Sequence, residues 1–174
     1  MEQRKHPRLS NYDYATPGGY FVTICVKKRR SLFGDAPFPV GRGPCAPPNA
    51  ARMIAEYWIT RIPEKYPSWT VDNWVVMPNH VHFLLQTHAC EAAGHMGPAL
   101  QDVVRWYKTM TTNAFIRAVR AGEMPSFDRT VWQTSFYDEV IRGQAHYLRA
   151  WQYIDDNPAH WAEDEYYSDQ GELL

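Results

Sequence analysis

The sequence predicts an α+β domain with the element order strand, helix, strand, strand, helix, strand, followed by one more helix. Three observations lead to this fold class. A run of β-forming residues lies near the N-terminus, two further runs flank the turn pair Pro78-Asn79, and two long segments carry apolar residues at helical spacing. Such an order builds one antiparallel sheet with two helices on one face.

The first half of the chain predicts a strand and a helix separated by a loop. Residues 20–26 are rich in aromatic and β-branched side chains, a composition typical of a buried strand. Residues 34–49 contain five prolines and three glycines, which favour an irregular connection. Apolar residues then recur at helical spacing over residues 53–62, and this helix is expected to end near Pro63.

The second half predicts two strands, a helix, a strand and a last helix. Their expected ranges are residues 70–77, 80–87, 99–119, 136–141 and 144–156. This order is that of a ferredoxin-like βαββαβ sandwich with an extra C-terminal helix. In that topology the strand over residues 80–87 lies inside the sheet, and the face without helices is expected to be open for a ligand.

Length and composition fit one domain spanning residues 1–174. A basic N-terminal segment covers residues 1–19, and a C-terminal helix with an acidic tail covers residues 143–174. No run approaches the roughly 18 apolar residues of a membrane span, and no signal peptide is recognised. Three widely spaced cysteines without a Cys-x-x-Cys pair indicate free thiols in a cytoplasmic protein.

The net charge of −1 hides an uneven distribution of charge along the chain. Seven acidic residues but no Lys or Arg follow Arg149, so the preceding part carries 18 basic residues against 12 acidic ones. The basic residues cluster at Arg4, Lys5 and Arg8, and again at Lys27, Lys28, Arg29 and Arg30. These clusters are candidate contacts with a nucleic-acid backbone, and the alternative is a solvated surface with an acidic tail.

Two histidines flank one apolar residue in the segment His80-Val81-His82. In a strand, residues i and i+2 point to the same face, so both imidazoles are expected to project together, away from Val81 and Phe83. Two adjacent imidazoles on a rigid strand form half of a metal site. The alternative is a pair of hydrogen-bonded histidines on a half-exposed sheet.

The segment Met77-Pro78-Asn79-His80-Val81-His82 resembles the His-hydrophobic-His motif of single-tyrosine HUH transposases. Further blocks resemble the REP-associated tyrosine transposases, a branch related to small insertion-sequence transposases. These blocks are residues 11–14, 19–25, 106–108, 132–133, 137–142 and 153–158. They occur in the family's order within residues 8–160, which makes the combined resemblance more specific than any single block.

The resemblance implies an endonuclease and strand transferase that acts on single-stranded DNA with hairpin-forming repeats, as in DNA transposition. A tyrosine attacks the scissile phosphate, becomes joined to the 5′ end and leaves a free 3′-hydroxyl. A divalent metal ion, Mg or Mn, is expected at His80 and His82, with no small-molecule cofactor and no membrane partner. The protein is expected to be a monomer or a homodimer.

By the same resemblance, the nucleophile is expected to be Tyr107. Lys108 follows it, but adjacent helical residues point about 100° apart, so Lys108 is expected to contact DNA phosphate rather than to accept the proton of Tyr107. Spacing alone favours a core position for Tyr107, because it shares a helical face with Leu100, Val103 and Val104. The resemblance of the block 106–108 to the tyrosine-bearing helix of the family reverses that preference.

The sequence leaves the third metal ligand open. Insertion-sequence relatives often place a glutamine one turn after the tyrosine, whereas this chain has Thr111 there, a poor ligand. A non-catalytic DNA or RNA hairpin-binding module on the same fold is therefore an alternative function. A metal-dependent phosphoesterase that uses water as the nucleophile is a further alternative.

Overall fold

A computed structural model of the chain describes residues 17–34, 49–88, 98–128 and 130–167, and in these ranges the predicted order of strands and helices is confirmed. The strands are β1 (Gly18–Cys25), β2 (Trp69–Met77), β3 (His80–Thr87) and β4 (Tyr137–Ile141). The helices are α1 (Ala50–Thr60), the single-turn α2 (Ile62–Lys65), α3 (Leu100–Arg120) and α4 (Gln144–Asp156). Short 3₁₀ segments follow β1 and α4 at Lys27–Arg29 and Asn157–Glu163.

The four strands form one antiparallel sheet in the order β2-β3-β1-β4. β3 therefore lies inside the sheet, as predicted, and the α+β fold class is confirmed. The register pairs His80 with Cys25 and His82 with Thr23 on β1. A tight turn at Pro78-Asn79 leads from β2 into β3, so the two histidines stand at the beginning of β3, beside the end of β1.

Helices α1 and α3 cover one face of the sheet and enclose the main core. From β3, the side chains of Val81, Phe83 and Leu85 belong to this core. Phe83 packs edge-on against Tyr107 of α3, with ring centroids 5.0 Å apart. Because side chains alternate along a strand, the histidines of β3 point to the opposite face of the sheet.

Helix α4 covers much of that opposite face. Ala150 and Ile154 of α4 pack with Val75, Met77 and Leu84 of β2 and β3 in a second apolar cluster. The expectation of an open face was therefore wrong, because these apolar strand residues are removed from water by the apolar side of α4. A cleft between β4 and α4 nevertheless remains on this side.

Some predictions fall on residues outside the described ranges. They concern the contacts assigned to Arg4, Lys5 and Arg8, the block 11–14 and most of the irregular connection predicted over residues 34–49. Within the described parts of the chain, none of the helices combines the length and the apolar character that a membrane span requires.

Candidate metal centre

His80 and His82 lie side by side at the start of β3, as strand alternation predicts. Their Nε2 atoms are 2.8 Å apart. Both side chains are 0% exposed, so the pair is buried rather than half-exposed on the sheet. Aromatic rings cover the imidazoles, with centroid distances of 4.8 Å between Tyr166 and His80 and of 5.3 Å between Tyr153 and His82.

Each imidazole uses its second ring nitrogen for a hydrogen bond inside the protein. His80 Nδ1 lies 2.8 Å from Asn79 Oδ1, and His82 Nδ1 lies 2.8 Å from Thr23 Oγ1. These contacts orient the rings so that both Nε2 atoms approach a common point. Histidine ligands in metalloproteins are oriented in the same way, through the ring nitrogen that does not bind the metal.

Burial favours the neutral form of both imidazoles. It lowers the pKa of His82 to about 3 and lowers the pKa of His80 well below its usual value. The neighbouring His82 and the Arg29 guanidinium lower the pKa of His80 further. The neutral imidazole is the form that binds a metal ion, so both side chains are ready to act as ligands at neutral pH.

Asp164, which follows the 3₁₀ segment after α4, completes a cluster with the two histidines. One ligand atom from each of His80, His82 and Asp164 lies within 4.8 Å of the others. Asn157 Nδ2 donates to Asp164 Oδ2 at 2.8 Å, and the backbone N–H of Tyr166 donates to Asp164 Oδ1 at 2.6 Å. Two imidazoles and one carboxylate are a donor set that suits a divalent ion such as Mn.

Thr111, one turn after Tyr107 on α3, is fully buried in the main core. Its hydroxyl donates to the carbonyl oxygen of Tyr107 at 2.8 Å and accepts from Trp132 Nε1 at 2.9 Å. Both hydroxyl functions are therefore used within the core. The sequence carried no spacing signal for Asp164, which lies far from the histidines along the chain and within an acidic tail.

Helix α3 places Tyr107 in the main core, on the face of the sheet opposite the histidines. The side chain is 0% exposed, its ring packs on Phe83, and its hydroxyl donates to the carbonyl oxygen of Ala55 at 3.3 Å. Burial, with a smaller effect of Glu56, raises the pKa of Tyr107 well above its usual value. The structure therefore does not bring Tyr107 to the histidines, because the sheet lies between them.

Tyr153 of α4 places its hydroxyl at the cluster. The hydroxyl donates to Asp164 Oδ2 at 3.3 Å, the ring lies edge-on to that of His82, and the residue is 42% exposed. Burial raises the pKa of Tyr153, and the Asp164 carboxylate adds to this effect. Tyr137 and Tyr166 line the same cleft, but Tyr166 is largely buried over His80.

Comparisons with known proteins agree with this fold. No protein-family model matches the chain. The chain is 28% identical over 179 aligned residues to an uncharacterised protein of Haemophilus influenzae, and the alignment covers 97% of this chain and 96% of that protein. The solved structure of a REP-associated tyrosine transposase bound to a REP hairpin matches with a TM-score of 0.60 and 18% identity, over 93% of this chain and 77% of that chain.

The chain has the fold of a REP-associated tyrosine transposase. The fold is the one that the resemblance of the sequence blocks implies. A proposed transposase of Deinococcus radiodurans matches over 87% of this chain and 97% of its own length, with a TM-score of 0.49 and 17% identity.

Arg29, in the basic run after β1, lies beside the cluster. Lys28 and Arg29 have φ angles of 60° and 53°, in the left-handed region that non-glycine residues seldom adopt. Arg29 Nη1 donates to the carbonyl oxygen of Glu165 at 3.1 Å, and the guanidinium carbon lies 5.4 Å from the centroid of the Tyr166 ring. The strained turn thus holds one cation of the predicted DNA-binding run next to the residues that cover His80.

The other basic residues of this run face outward. Lys27 and Lys28 are exposed, and Arg30 Nη1 lies 3.8 Å from Asp128 Oδ2. An exposed ion pair of this length contributes little to stability. All three side chains therefore stay candidates for contacts with a phosphate backbone.

Lys108 of α3 holds a loop in place. Its Nζ donates to the carbonyl oxygens of Gln133 and Ser135, each at 2.8 Å, and to that of Thr134 at 3.3 Å. Three protein acceptors match the three N–H donors of an ammonium group. This geometry disfavours the predicted phosphate contact and makes Lys108 an anchor for the loop that precedes β4.

A cleft of about 1300 Å³ lies between β4 and α4, with His82 and Tyr153 among its lining residues. Arg142 and Arg149 line the same cleft and are exposed, and neither forms an ion pair with another described residue. Neither arginine belongs to a basic run, so the distribution of charge along the sequence did not select them. Six carboxylates also line the cleft, at Asp138, Glu139, Asp156, Glu163, Asp164 and Glu165.

Proposed function

We propose that the chain is a metal-dependent endonuclease and strand transferase that acts on single-stranded DNA with hairpin-forming repeats. One observation carries this conclusion: the Tyr153 hydroxyl donates to Asp164, which forms a buried cluster with His80 and His82 at the side of a cleft. The structural neighbour was solved bound to a REP hairpin, which supports a DNA hairpin as the partner.

In this proposal, His80, His82 and Asp164 hold a divalent cation. The donor set fits such an ion, because both imidazoles are neutral and the carboxylate brings negative charge. A cation held there would neutralise the charge that develops on a phosphodiester and lower the pKa of an attacking hydroxyl. The imidazole nitrogens favour Mn over Mg by affinity, whereas availability in cells favours Mg.

Tyr153 is proposed as the nucleophile in place of Tyr107. Its hydroxyl oxygen forms a bond to phosphorus while the bond between phosphorus and the 3′ oxygen breaks. The 5′ phosphate stays joined to the tyrosine, and the 3′ oxygen takes up a proton from solvent and leaves as a hydroxyl. The acceptor for the proton of the tyrosine is Asp164 Oδ2, to which the hydroxyl already donates.

A phosphotyrosine intermediate explains why the enzyme would rejoin strands rather than only cut them. A 3′-hydroxyl that attacks the intermediate restores a phosphodiester, because the phosphotyrosine keeps the energy of the broken bond. Water competes for the same intermediate. Trp161 and Tyr166 pack over His80 and limit the access of water from that side. In this proposal the Tyr166 ring has to move before a phosphate can reach His80.

The DNA backbone is proposed to run along the cleft past Arg142 and Arg149. A strand on this path is attracted by the two exposed guanidinium groups and approaches Tyr153 on α4. The exposed Lys27 and Lys28, the neighbouring Arg29 and Arg30, and the N-terminal Arg4, Lys5 and Arg8 are proposed as further contacts.

A non-catalytic hairpin-binding module is the second candidate. The observation that favours it is the closed arrangement of the histidines, which are hydrogen bonded to each other and covered by Tyr166. Such a pair is satisfied without a metal ion. The two candidates differ in one product, because a binding module forms no covalent bond to DNA.

Covalent trapping tests the proposed function. The protein is incubated with single-stranded hairpin repeats from the DNA that flanks its gene, with Mn²⁺ or with EDTA, and the products are separated under denaturing conditions. With Mn²⁺ we expect an adduct that carries the 3′-labelled fragment and a released fragment that ends in a 3′-hydroxyl. Retention of intact DNA in native gels, without adduct in either condition, would favour the binding module.

A further inference from the structure

The side-chain amide of Asn79 has an orientation that its backbone contacts determine. Asn79 is fully buried in the turn before β3. Its Nδ2 atom lies 2.9 Å from the carbonyl oxygen of Tyr166 and 3.2 Å from that of Arg29. A carbonyl oxygen only accepts hydrogen bonds, so the atom that faces both carbonyls must be the NH₂ group. The amide oxygen is thereby directed to the other side.

This orientation decides which nitrogen of His80 carries the proton. Asn79 Oδ1 lies 2.8 Å from His80 Nδ1. The amide oxygen can only accept, so Nδ1 of the imidazole donates, and in the neutral ring the lone pair is then on Nε2. His80 Nε2 is also the atom that lies 4.0 Å from Asp164 Oδ2. The backbone carbonyls of two distant segments therefore fix His80 in the tautomer that can bind a cation.

The proton positions of His82 follow from those of His80. The two Nε2 atoms are 2.8 Å apart, and one of them must donate to the other. Because His80 offers a lone pair, His82 Nε2 carries the proton, and His82 Nδ1 accepts from Thr23 Oγ1 at 2.8 Å. A hydroxyl can donate or accept. Thr23 therefore also suits the opposite tautomer, in which Nδ1 carries the proton and Nε2 is free.

We propose that Asn79 and Thr23 are positioning residues with different tasks. Asn79 holds His80 in the tautomer whose Nε2 carries no proton, both with and without a metal ion. Thr23 lets His82 move its proton from Nε2 to Nδ1 when a divalent cation enters, so that the hydrogen bond between the histidines is exchanged for two metal ligands. The role of Thr23 rests on the proposed metal binding. The tautomers of the metal-free protein follow from the hydrogen bonds alone and do not depend on that proposal.

Nitrogen-15 NMR tests the tautomers directly. Long-range proton–nitrogen correlations of the metal-free protein distinguish a protonated from an unprotonated ring nitrogen in each histidine. We expect protonated Nδ1 and free Nε2 in His80, and the reverse in His82. The opposite tautomer in His80 of the wild-type protein overturns the inference, and this measurement needs neither a variant nor DNA.

Metal titration tests the role of Thr23. In Thr23→Val the shape of the side chain is kept and the hydroxyl is lost, so Mn²⁺ affinity measured by calorimetry should fall about 10–100-fold, as is typical for loss of an outer-shell partner. Thr23→Ser should restore it. Thr87→Val is the matched control, because Thr87 is a buried threonine at the far end of β3 and does not touch the histidines.

The outcomes of the titration separate two failures. If Thr23→Val binds Mn²⁺ as tightly as the wild type, or if Thr87→Val loses as much affinity, the hydroxyl has no specific task and the role of Thr23 is refuted. If the wild-type protein binds no Mn²⁺, the metal-dependent function and the role of Thr23 both fall, while the tautomer of His80 measured by NMR still decides the role of Asn79.

Discussion

The hydroxyl of Tyr153 donates to Oδ2 of Asp164 across 3.3 Å, and this contact joins helix α4 to the histidine pair of β3. Asp164 has two candidate roles. It lies beside the histidines as a candidate metal ligand, and it accepts a hydrogen bond from Tyr153, whose proton it could take up. Its own position is fixed by Asn157 and by the backbone of Tyr166. The C-terminal segment therefore belongs to the proposed active site.

Replacing Asp164 should reduce metal binding and DNA cleavage together. Asp164→Asn keeps the size of the side chain but removes a charged ligand, so Mn²⁺ affinity should fall by at least the roughly 10–100-fold that loss of an outer-shell partner causes. Calorimetry and cleavage assays measure the two effects. Asp156→Asn removes another carboxylate that lines the cleft and should change little. If both substitutions had the same effect, Asp164 would act only through its negative charge in the cleft and not as a metal ligand.

Replacing Tyr107 should change stability rather than catalysis. Tyr107→Phe removes the hydrogen bond to the Ala55 carbonyl in the core, which should cost about 0.5–1.5 kcal/mol of unfolding free energy. Denaturant unfolding measures this loss, and adduct formation should proceed as in the wild type. If a folded Tyr107→Phe protein formed no adduct, Tyr107 of α3 would be the nucleophile, and its position in the core would not be the one it has during the reaction.

Acidification should destabilise the metal-free fold through the buried histidines. The pKa of His82 is about 3 when folded, against 6.5 as its ordinary value. Between these values the unfolded chain binds a proton that the folded chain does not, so this contribution to stability is complete above pH 6.5 and is lost as the pH falls. The slope is at most about 1.4 kcal/mol per pH unit for each such group.

Urea unfolding in EDTA between pH 7.5 and 5 measures this dependence. His82→Gln has no titrating imidazole at that position and should lose less stability on acidification than the wild type. If the wild type and His82→Gln show the same slope, the protein does not keep His82 neutral in this range.

Replacing the two arginines of the cleft should weaken DNA binding, because their salt-dependent attraction to DNA phosphates is lost. In the double variant Arg142→Ala and Arg149→Ala, the slope of log affinity against log salt should become shallower by about 0.7 for each lost contact with a single strand. Fluorescence anisotropy at several salt concentrations measures the slope. Arg117→Ala with Arg120→Ala is the matched control, since these exposed arginines on α3 do not line the cleft. An unchanged slope in the cleft variant would place the DNA elsewhere.

The sequence predicted the fold because its signals are local. The alternation around His80 and His82 gave the shared face of the pair, and the turn at Pro78-Asn79 gave the boundary between β2 and β3. The helical spacing of Leu100, Val103, Val104 and Tyr107 correctly indicated a core face. The resemblance of the block 106–108 outweighed that signal, although a helix that packs on the face opposite the histidines cannot bring a side chain to them.

The site was harder to predict because its parts come from distant segments. Asp164 reaches the histidines only after α4 has crossed the sheet and the 3₁₀ segment has turned the chain back. Tyr153 begins the block 153–158, so the sequence marked its segment, but nothing local shows that its side of α4 faces the histidines. The burial of His80 and His82 was missed for the same reason, since the residues that cover them are supplied by the C-terminal part of the chain.

Mapping the trapped adduct tests the central claim most directly. The protein is incubated with single-stranded hairpin DNA and Mn²⁺, the adduct is digested with protease and nuclease, and the modified peptide is identified by mass spectrometry. We predict the nucleotide on Tyr153, and no adduct from Tyr153→Phe protein that still binds the hairpin. A nucleotide on Tyr107, Tyr137 or Tyr166, or an undiminished adduct from Tyr153→Phe, would contradict the assignment of Tyr153 as the nucleophile.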